Sequence, residues 1–309
     1  MKFAVLGTNE MALDLAEVIQ DLSHEVVCLV SLDKKNLPNN SADVKRFAKE
    51  KNIDYFETSN LNSKVSIKYL KSLNSDFFIS TWSKIISSEV LEIPKYSVIG
   101  THPTELPMNK GRHPLHWMIV LKIKSSKLSF FLMDEGIDSG NILLQEPFYL
   151  GSNINDANLN MDKAAKSGTK KLLRMLEKKP KLKGLEQSKL YENTWRKRNE
   201  HDITIDPRMN PDMIVQITRS FSKPYPMARL YIKKGVYLNL TSAKILESKV
   251  LKKNWINFEH GYIFKCSKDK IWMKIDSGVV ELTVDTSQNN IEIKELKGKK
   301  IFPPSYYFC

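Results

Sequence analysis

Cysteine is scarce: Cys28, Cys266 and Cys309 are the only three in 309 residues, and they stand far apart. Such spacing builds neither a disulfide framework nor a paired-cysteine metal site. Long apolar runs are missing as well, since nothing reaches the roughly 18 consecutive apolar residues of a membrane span. The opening, MKFAVLGTNEMALDLAEVIQ, is broken by polar and acidic residues from Asn9 and Glu10 onward, and it does not read as a signal peptide. The simplest expectation is a cytoplasmic protein with no membrane partner. Glycine is sparse too, and the turn LGTNEMA (6–12) carries one where a dinucleotide fingerprint uses three. A plain strand-to-helix turn is expected there. There is no GxSxG elbow, no Cys nucleophile motif and no HExxH helix. His24, His113, His116, His201 and His260 show no ligand spacing, and His113 and His116 lack a third ligand, so no metal is expected.

What is present describes a globular chain. With 41% hydrophobic and 27% charged residues it can bury a sizeable core, and its length suits two domains at about 150 residues each. The formal charge of +13 raises a polyanionic partner such as a nucleic acid. Heavy use of Lys, Asn, Ile and Ser leaves a solvated basic surface as the plain alternative.

Hydrophobic patterning divides the chain into an α/β half and an all-β half. KFAVLG, EVVCLVSL, DYFE, DFFISTW and SVIGTH read as strands, separated by amphipathic helices over Glu10–Leu22, ADVKRFAKEKN and SKVSIKYLKSL. Strands joined by helices predict a doubly wound, mostly parallel sheet, whose ligands bind beyond the carboxyl ends of the strands. Gly7, Thr81 and His102 fall at those ends. HPLHWMIVLKI reads as a helix, KLSFFLMDEGIDSGNILLQEPFYL as two strands around an acidic turn, and NINDANLNMDKAAKSGTKKLLRMLEKK as a long helix capped by Asn155 or Asp156. Residues 178–199 read as a Lys-rich, pattern-poor linker. Beyond it lie a helix, PDMIVQITRSF, and short strands RLYIKKG, VYLNLTSAKI, GYIFKCSK, KIWMKI, VVELTV and IEIKELK, which predict a small antiparallel barrel. The expected domains are 1–190 and 191–309.

Two loops hold the candidate chemistry. THPTELPMNKGRHP places His102 at a strand end on a path stiffened by Pro103, Pro107 and Pro114. MDEGIDSGN gathers Asp134, Glu135 and Asp138, which a solvated turn would also explain. A His near a carboxylate, with no nucleophile motif, suits direct attack by a substrate amine in an acyl-type transfer.

In these stretches the chain resembles the folate-dependent formyltransferases, the family of methionyl-tRNA formyltransferase and the sugar N-formyltransferases. LGTNEMA resembles the family's GTPEFA turn, HPTELPMNKGRHPLHW its HxSLLPxxRGRAPLxW segment, MDEGIDSGNIL its MDEGxDTGxIL loop, and RSFSKPYPMA its RAxxxPxPGA segment. The separation of His102 from Asp138 is also the family's. The resemblance implies a Rossmann-like catalytic domain with an OB-like C-terminal barrel, N10-formyltetrahydrofolate as donor and a primary amine as acceptor. It makes His102 and Asp138 the catalytic pair. Asp138 orients His102 and takes a proton through water, while His102 helps remove the amine proton and bonds the oxyanion. It places the pterin against Ile79, Trp82, Ile85 and Ile86, with the backbone of Asp134, Glu135 and Gly136 at its edge.

One position departs from the pattern. Gly100 stands where the family's Asn-x-His motif has the Asn that donates to the formyl oxygen. Losing such a donor typically costs about 3 kcal/mol of barrier. Thr101, Asn109 or a backbone N–H replaces it, or the chemistry is altered, or the protein binds folate without turnover. In THPTELP, MDEGIDSG and Gly100 the chain looks more like the sugar-nucleotide branch, with Thr101, Lys110 and Arg112 toward the acceptor and its phosphates. Methionyl-tRNA is the alternative acceptor, and homodimerisation is left open.

Overall fold

The computed structural model describes residues 1–246, 253–287 and 291–306, and Cys309 lies outside the described residues. The chain begins β1 (Lys2–Leu6), α1 (Glu10–Asp21), β2 (Glu25–Leu32), α2 (Val44–Glu50), β3 (Tyr55–Thr58), α3 (Lys64–Ser72), β4 (Phe77–Ser80), α4 (Ser88–Leu91) and β5 (Ser97–His102). It continues through β6 (Lys110–Gly111), α5 (Pro114–Val120), β7 (Ser125–Leu132), β8 (Ile142–Tyr149), α6 (Ile154–Lys178) and β9 (Thr194–Trp195). The remainder holds α7 (Pro211–Ser220), β10 (Ala228–Lys233), β11 (Val236–Ile245), β12 (Ile263–Cys266), β13 (Lys270–Ile275) and β14 (Gly278–Val284).

The first sheet has seven strands in the order β3-β2-β1-β4-β5-β7-β8. Its first five strands pair in parallel, and β7 and β8 complete it in antiparallel. Helices on both faces explain why β4 (FFIS) is buried at all four positions and why its sequence does not alternate. The helices start on side-chain caps: Asn9, Asp43 and Ser63 accept the N–H groups of Ala12, Arg46 and Ser66. Helix α6 starts at Ile154, before the caps expected from sequence, and Asn153 Oδ1 takes the Asn155 N–H at 2.9 Å. The strand order reverses direction between β1 and β4, so the carboxyl ends of β1, β4 and β5 frame the crevice that such sheets use for ligands.

The C-terminal part is a curled antiparallel sheet in the order β10-β11-β14-β13-β12. Ile214 and Ile217 of α7 join Leu238, Leu240, Ile271, Val280 and Leu282 in one core. IEIKELK is not a strand there. It contains a 3-10 turn, Ile293–Leu296, whose first and last residues are both buried. The three-residue spacing of Ile293 and Leu296 puts both on one face of a 3-10 turn, which a period-two reading mistakes for alternation.

Contacts group the chain into two compact units. One comprises Met1–Pro114, Lys124–Gly151 and Asp156–Lys197; the other comprises Leu115–Ile123, Ser152–Asn155 and the chain from Arg198 onward. Among the described residues no helix is long and apolar enough to cross a membrane, and no three His, Cys, Asp or Glu gather as a metal set.

Candidate active site

His102 is the last residue of β5 and is only 5% exposed. Its Nε2 lies 2.9 Å from the Asn109 carbonyl oxygen. A carbonyl only accepts, so Nε2 carries a proton and donates it there. Nδ1 therefore faces Asp138 Oδ2, at 3.4 Å. The same Oδ2 accepts the Gly111 N–H at 2.9 Å. The two loops thus meet at one carboxylate oxygen. Asp138 takes a left-handed backbone, φ 49°, which Asp tolerates better than most residues, and its side chain is 20% exposed.

The loop after β5 is riveted from below. Ser129 Oγ, fully buried on β7 opposite His102, donates to the Thr104 carbonyl at 2.6 Å and accepts the Leu106 N–H at 3.3 Å. Gln145 Nε2 of β8 adds bonds to the Leu106 carbonyl and to Ser129 Oγ. Thr104 Oγ1 donates to the Met108 and Asn109 carbonyls. The acidic loop is held mainly from within, because Asp134 Oδ1 accepts the Gly136 N–H at 3.0 Å and the Ser139 hydroxyl at 2.6 Å. This Asx turn leaves Asp134, Glu135, Gly136 and Ile137 exposed.

The segment that reads as a linker is a third part of the site. Strand β9 pairs in parallel with β6, Lys110 beside Thr194 and Gly111 beside Trp195. Asn193 Oδ1 accepts the Asn109 N–H at 2.8 Å, and Asn193 Nδ2 donates to Asn109 Oδ1 at 3.0 Å. Gln187 Nε2 donates to the Asp138 and Gly140 carbonyls, each at 2.8 Å. Neither residue is conspicuous in the sequence, because amide-to-backbone bonds leave no periodic pattern.

The expected binding residues fall in different surroundings. Ile79 is fully buried within β4 and Ile86 is 3% exposed, whereas Trp82 is half-buried and Ile85 is 73% exposed. Lys110 is buried, with Nζ 2.8 Å from Glu192 Oε2, and its ammonium holds the Glu192 carboxyl below the usual range. Arg112 is exposed, and Nη1 donates to the Ser83 carbonyl at 2.8 Å, tying this loop to the segment after β4. Thr101 Oγ1 lies 3.4 Å from the Ser80 carbonyl. A cavity of about 410 Å³ lies at the other end of β5 from His102, with Glu92, Tyr96, Ser97, Val98, Leu132 and Met133 among its walls.

Gly100 shares a strand face with His102, two residues before it. A Cβ there would sit 2.8 Å from Met133 Cγ and 2.8 Å from Phe131 Cζ. Phe131 is 3% exposed and stands directly opposite Gly100 on β7. The place of an asparagine side chain is therefore filled by apolar groups. The two side chains that the sequence offers as substitutes already have partners, Thr101 on the Ser80 carbonyl and Asn109 on Asn193.

A doubly wound sheet with a His–Asp pair at the strand ends and a second, antiparallel sheet defines a class, and comparison with known proteins agrees. Residues 1–176 match the Formyl transferase family model, and the chain belongs to that family. It is 27% identical over 294 residues to a methionyl-tRNA formyltransferase of Fusobacterium nucleatum, covering 93% of this chain and 90% of that protein. It is 33% identical over 166 residues to the methionyl-tRNA formyltransferase of Prochlorococcus marinus strain AS9601, an alignment that spans 52% of this chain and half (50%) of that protein. A solved sugar 3N-formyl transferase shares the fold with a TM-score of 0.67 at 17% identity, covering 93% of this chain and 98% of that one.

Proposed function

We propose that this protein transfers a formyl group from N10-formyltetrahydrofolate to a primary amine, and that the amine belongs to a nucleotide-linked amino-deoxysugar. The observation that carries the chemistry is the junction of the two loops, His102 Nδ1 3.4 Å from Asp138 Oδ2 with Nε2 already committed to Asn109. N10-formyltetrahydrofolate supplies the formyl carbon when bound. A flat heterocycle suits the half-buried Trp82 beyond the end of β4, with the exposed residues Asp134, Glu135 and Gly136 at its edge. As the amine nitrogen bonds the formyl carbon and the bond from that carbon to N10 of the folate breaks, Asp138, the partly exposed member of the pair, would take the amine proton, share it with His102 Nδ1 and return it to N10. The Nε2–H bond fixes the ring, so that Nδ1 always points at the carboxylate. Gly100 supplies no amide donor, and turnover is slower for it by the roughly 100-fold that one oxyanion donor is typically worth.

The wording of the two loops together with Gly100 favours the sugar-nucleotide acceptor. The alignment with the Fusobacterium methionyl-tRNA formyltransferase along 93% of this chain favours methionyl-tRNA as the second reading. The apolar filling beside Gly100 favours a third, folate binding without turnover. Purified protein, N10-formyltetrahydrofolate and a panel of amino-sugar nucleotides plus methionyl-tRNA separate them, with the formamide read by mass spectrometry. A formylated sugar nucleotide is the expected product. Formylation of methionyl-tRNA alone would move the acceptor, and tight folate binding with no product would leave the binding reading.

A further inference from the structure

Residues 183–195 bond to both active loops at once. We propose that this segment is part of the active-site machinery, with Asn193 and Gln187 as positioning residues for the His102–Asp138 pair; the proposal rests on the reading of that pair as the reacting groups. Asn193 acts through Asn109. Its carbonyl accepts the Lys110 N–H at 3.0 Å, its Oδ1 accepts the Asn109 N–H, and its Nδ2 reaches Asn109 Oδ1. Two of these bonds fix Asn109 and the third the residue after it, and Asn109 has a left-handed backbone, φ 63°, and a carbonyl that receives His102 Nε2–H. Gln187 acts through the main chain of the acidic loop. Its NH2 group spans the carbonyls on either side of Ser139, which curls residues 138–140 and sets the left-handed turn at Asp138. With both hydrogens so used, its Oε1 is buried with no hydrogen-bond partner among the described residues, so the amide is oriented for these two bonds alone.

A passive connector needs only to span a distance. This one adds a two-residue strand to the loop of His102 and, beside it, an ion pair from the buried Lys110 to the exposed Glu192. It also exchanges backbone bonds between Leu185 and Ile142 at the far side of the acidic loop. The segment is anchored on each side of the pair, and Asn193 and Gln187 are where it touches the residues that orient the pair.

The test uses the full chain labelled with 15N-histidine. In the wild type the His102 Nε2–H gives a slowly exchanging resonance, because that proton is bonded to a buried carbonyl. Asn193→Ala is expected to abolish the slow exchange and to lower kcat on the order of 10- to 100-fold, the size of second-shell and misplacement effects. KM for the formyl donor should stay within about twofold, since the donor's walls are elsewhere. Asn193→Asp, which keeps the acceptor for the Asn109 N–H, should recover part of both. Gln187→Glu, which turns a carboxylate oxygen toward two carbonyls, should lower kcat more than Gln187→Ala. Lys178→Ala, at the exposed end of α6 and outside the segment, should change neither readout. Retention of the Nε2–H resonance and of kcat in Asn193→Ala overturns the proposal, and so does a kcat loss with that resonance intact. If no acceptor is formylated by any variant, the proposed function fails, and the resonance alone still decides whether Asn193 holds the ring.

Discussion

Residues 103–112 are fastened by partners remote in sequence: Ser129 and Gln145 beneath the loop, and Asn193 and Trp195 along its edge. Residues 134–139 close on themselves through the Asx turn of Asp134 and present four consecutive exposed residues to solvent, while Gln187 and Lys183 tie the loop from Asp138 to Asn141. The two loops meet at Asp138 Oδ2, which bonds one loop's backbone at Gly111 and faces the other's catalytic candidate, His102. The contrast teaches a division of labour. The histidine sits on the part that is over-determined by distant contacts, and the carboxylate sits where a local turn, exposed at residues 134–137, meets the bonds of Gln187 and Gly111.

The largest effect should come from cutting the junction itself. Asp138→Asn keeps an acceptor for the Gly111 N–H but removes the charge beside His102, and turnover should fall on the order of 1,000-fold, within the range for general acid–base groups. Thermal stability should change little. Wild-type turnover in this variant would mean that the meeting of the loops is only structural.

Next in size is Gly100→Asn. An amide here would restore the donor the resemblance leads one to expect, but the Cβ alone meets Met133 and Phe131 at 2.8 Å. Overpacking of this kind costs about 1–3 kcal/mol, so chemical denaturation should show a lower midpoint and activity should not rise. Gly100→Asn combined with Phe131→Ala should recover part of the stability and exceed either single variant in formyl transfer. A stable, faster single variant would show that the slot is open.

The comparison itself is sharpened by truncating one fastening in each loop. Ser129→Ala removes three hydroxyl bonds at a fully buried position, leaving the Leu106 N–H and the Thr104 carbonyl only their bond to each other and one Gln145 hydrogen without this acceptor, at about 2 kcal/mol. Asp134→Ala removes two bonds at an exposed turn and should cost about 0.5–1 kcal/mol. Hydrogen exchange should follow the same order, with the amides of Leu106, Asn109 and Arg112 protected and those of Glu135 to Ile137 fast. Equal costs for the two variants would dissolve the distinction.

Much of this was legible in the sequence, and the parts that were not share a cause. The parallel strands announce themselves because burial on two faces demands unbroken apolar runs, as in EVVCLVSL and DFFIS. His102 and Asp138 stand out as chemically capable residues on punctuated loops. Their meeting is a contact 36 positions apart in sequence, made by backbone geometry at Gly111 and by a left-handed Asp138, and neither feature has a pattern. Asn193 and Gln187 escape for the same reason, since an amide that bonds backbone looks like any polar linker residue. Ile85 and Ile86 illustrate a further loss: in the irregular chain after β4 there is no period, so nothing in the sequence says that the second is buried and the first is exposed.

A final, smaller effect isolates the fold from the loops. Asp162 on α6 is buried beside Asp14 and Glu10, and desolvation, reinforced by those two charges and opposed by Lys166, pushes its carboxyl up to about 7. Because the folded pKa lies above the ordinary 3.8, the folded chain keeps a proton that the unfolded chain releases. Stability should therefore decline as pH rises from about 4 to about 7 and stay at its lower level above that. Asp162→Asn should remove the decline and gain about 1–2 kcal/mol at pH 8, after allowance for partial solvent screening. The pH profile of turnover, set at the loops, should be unchanged by it. A shift of that profile in Asp162→Asn would mean that α6 and the two loops are electrostatically one system, and that the self-held acidic loop depends on the distant scaffold after all.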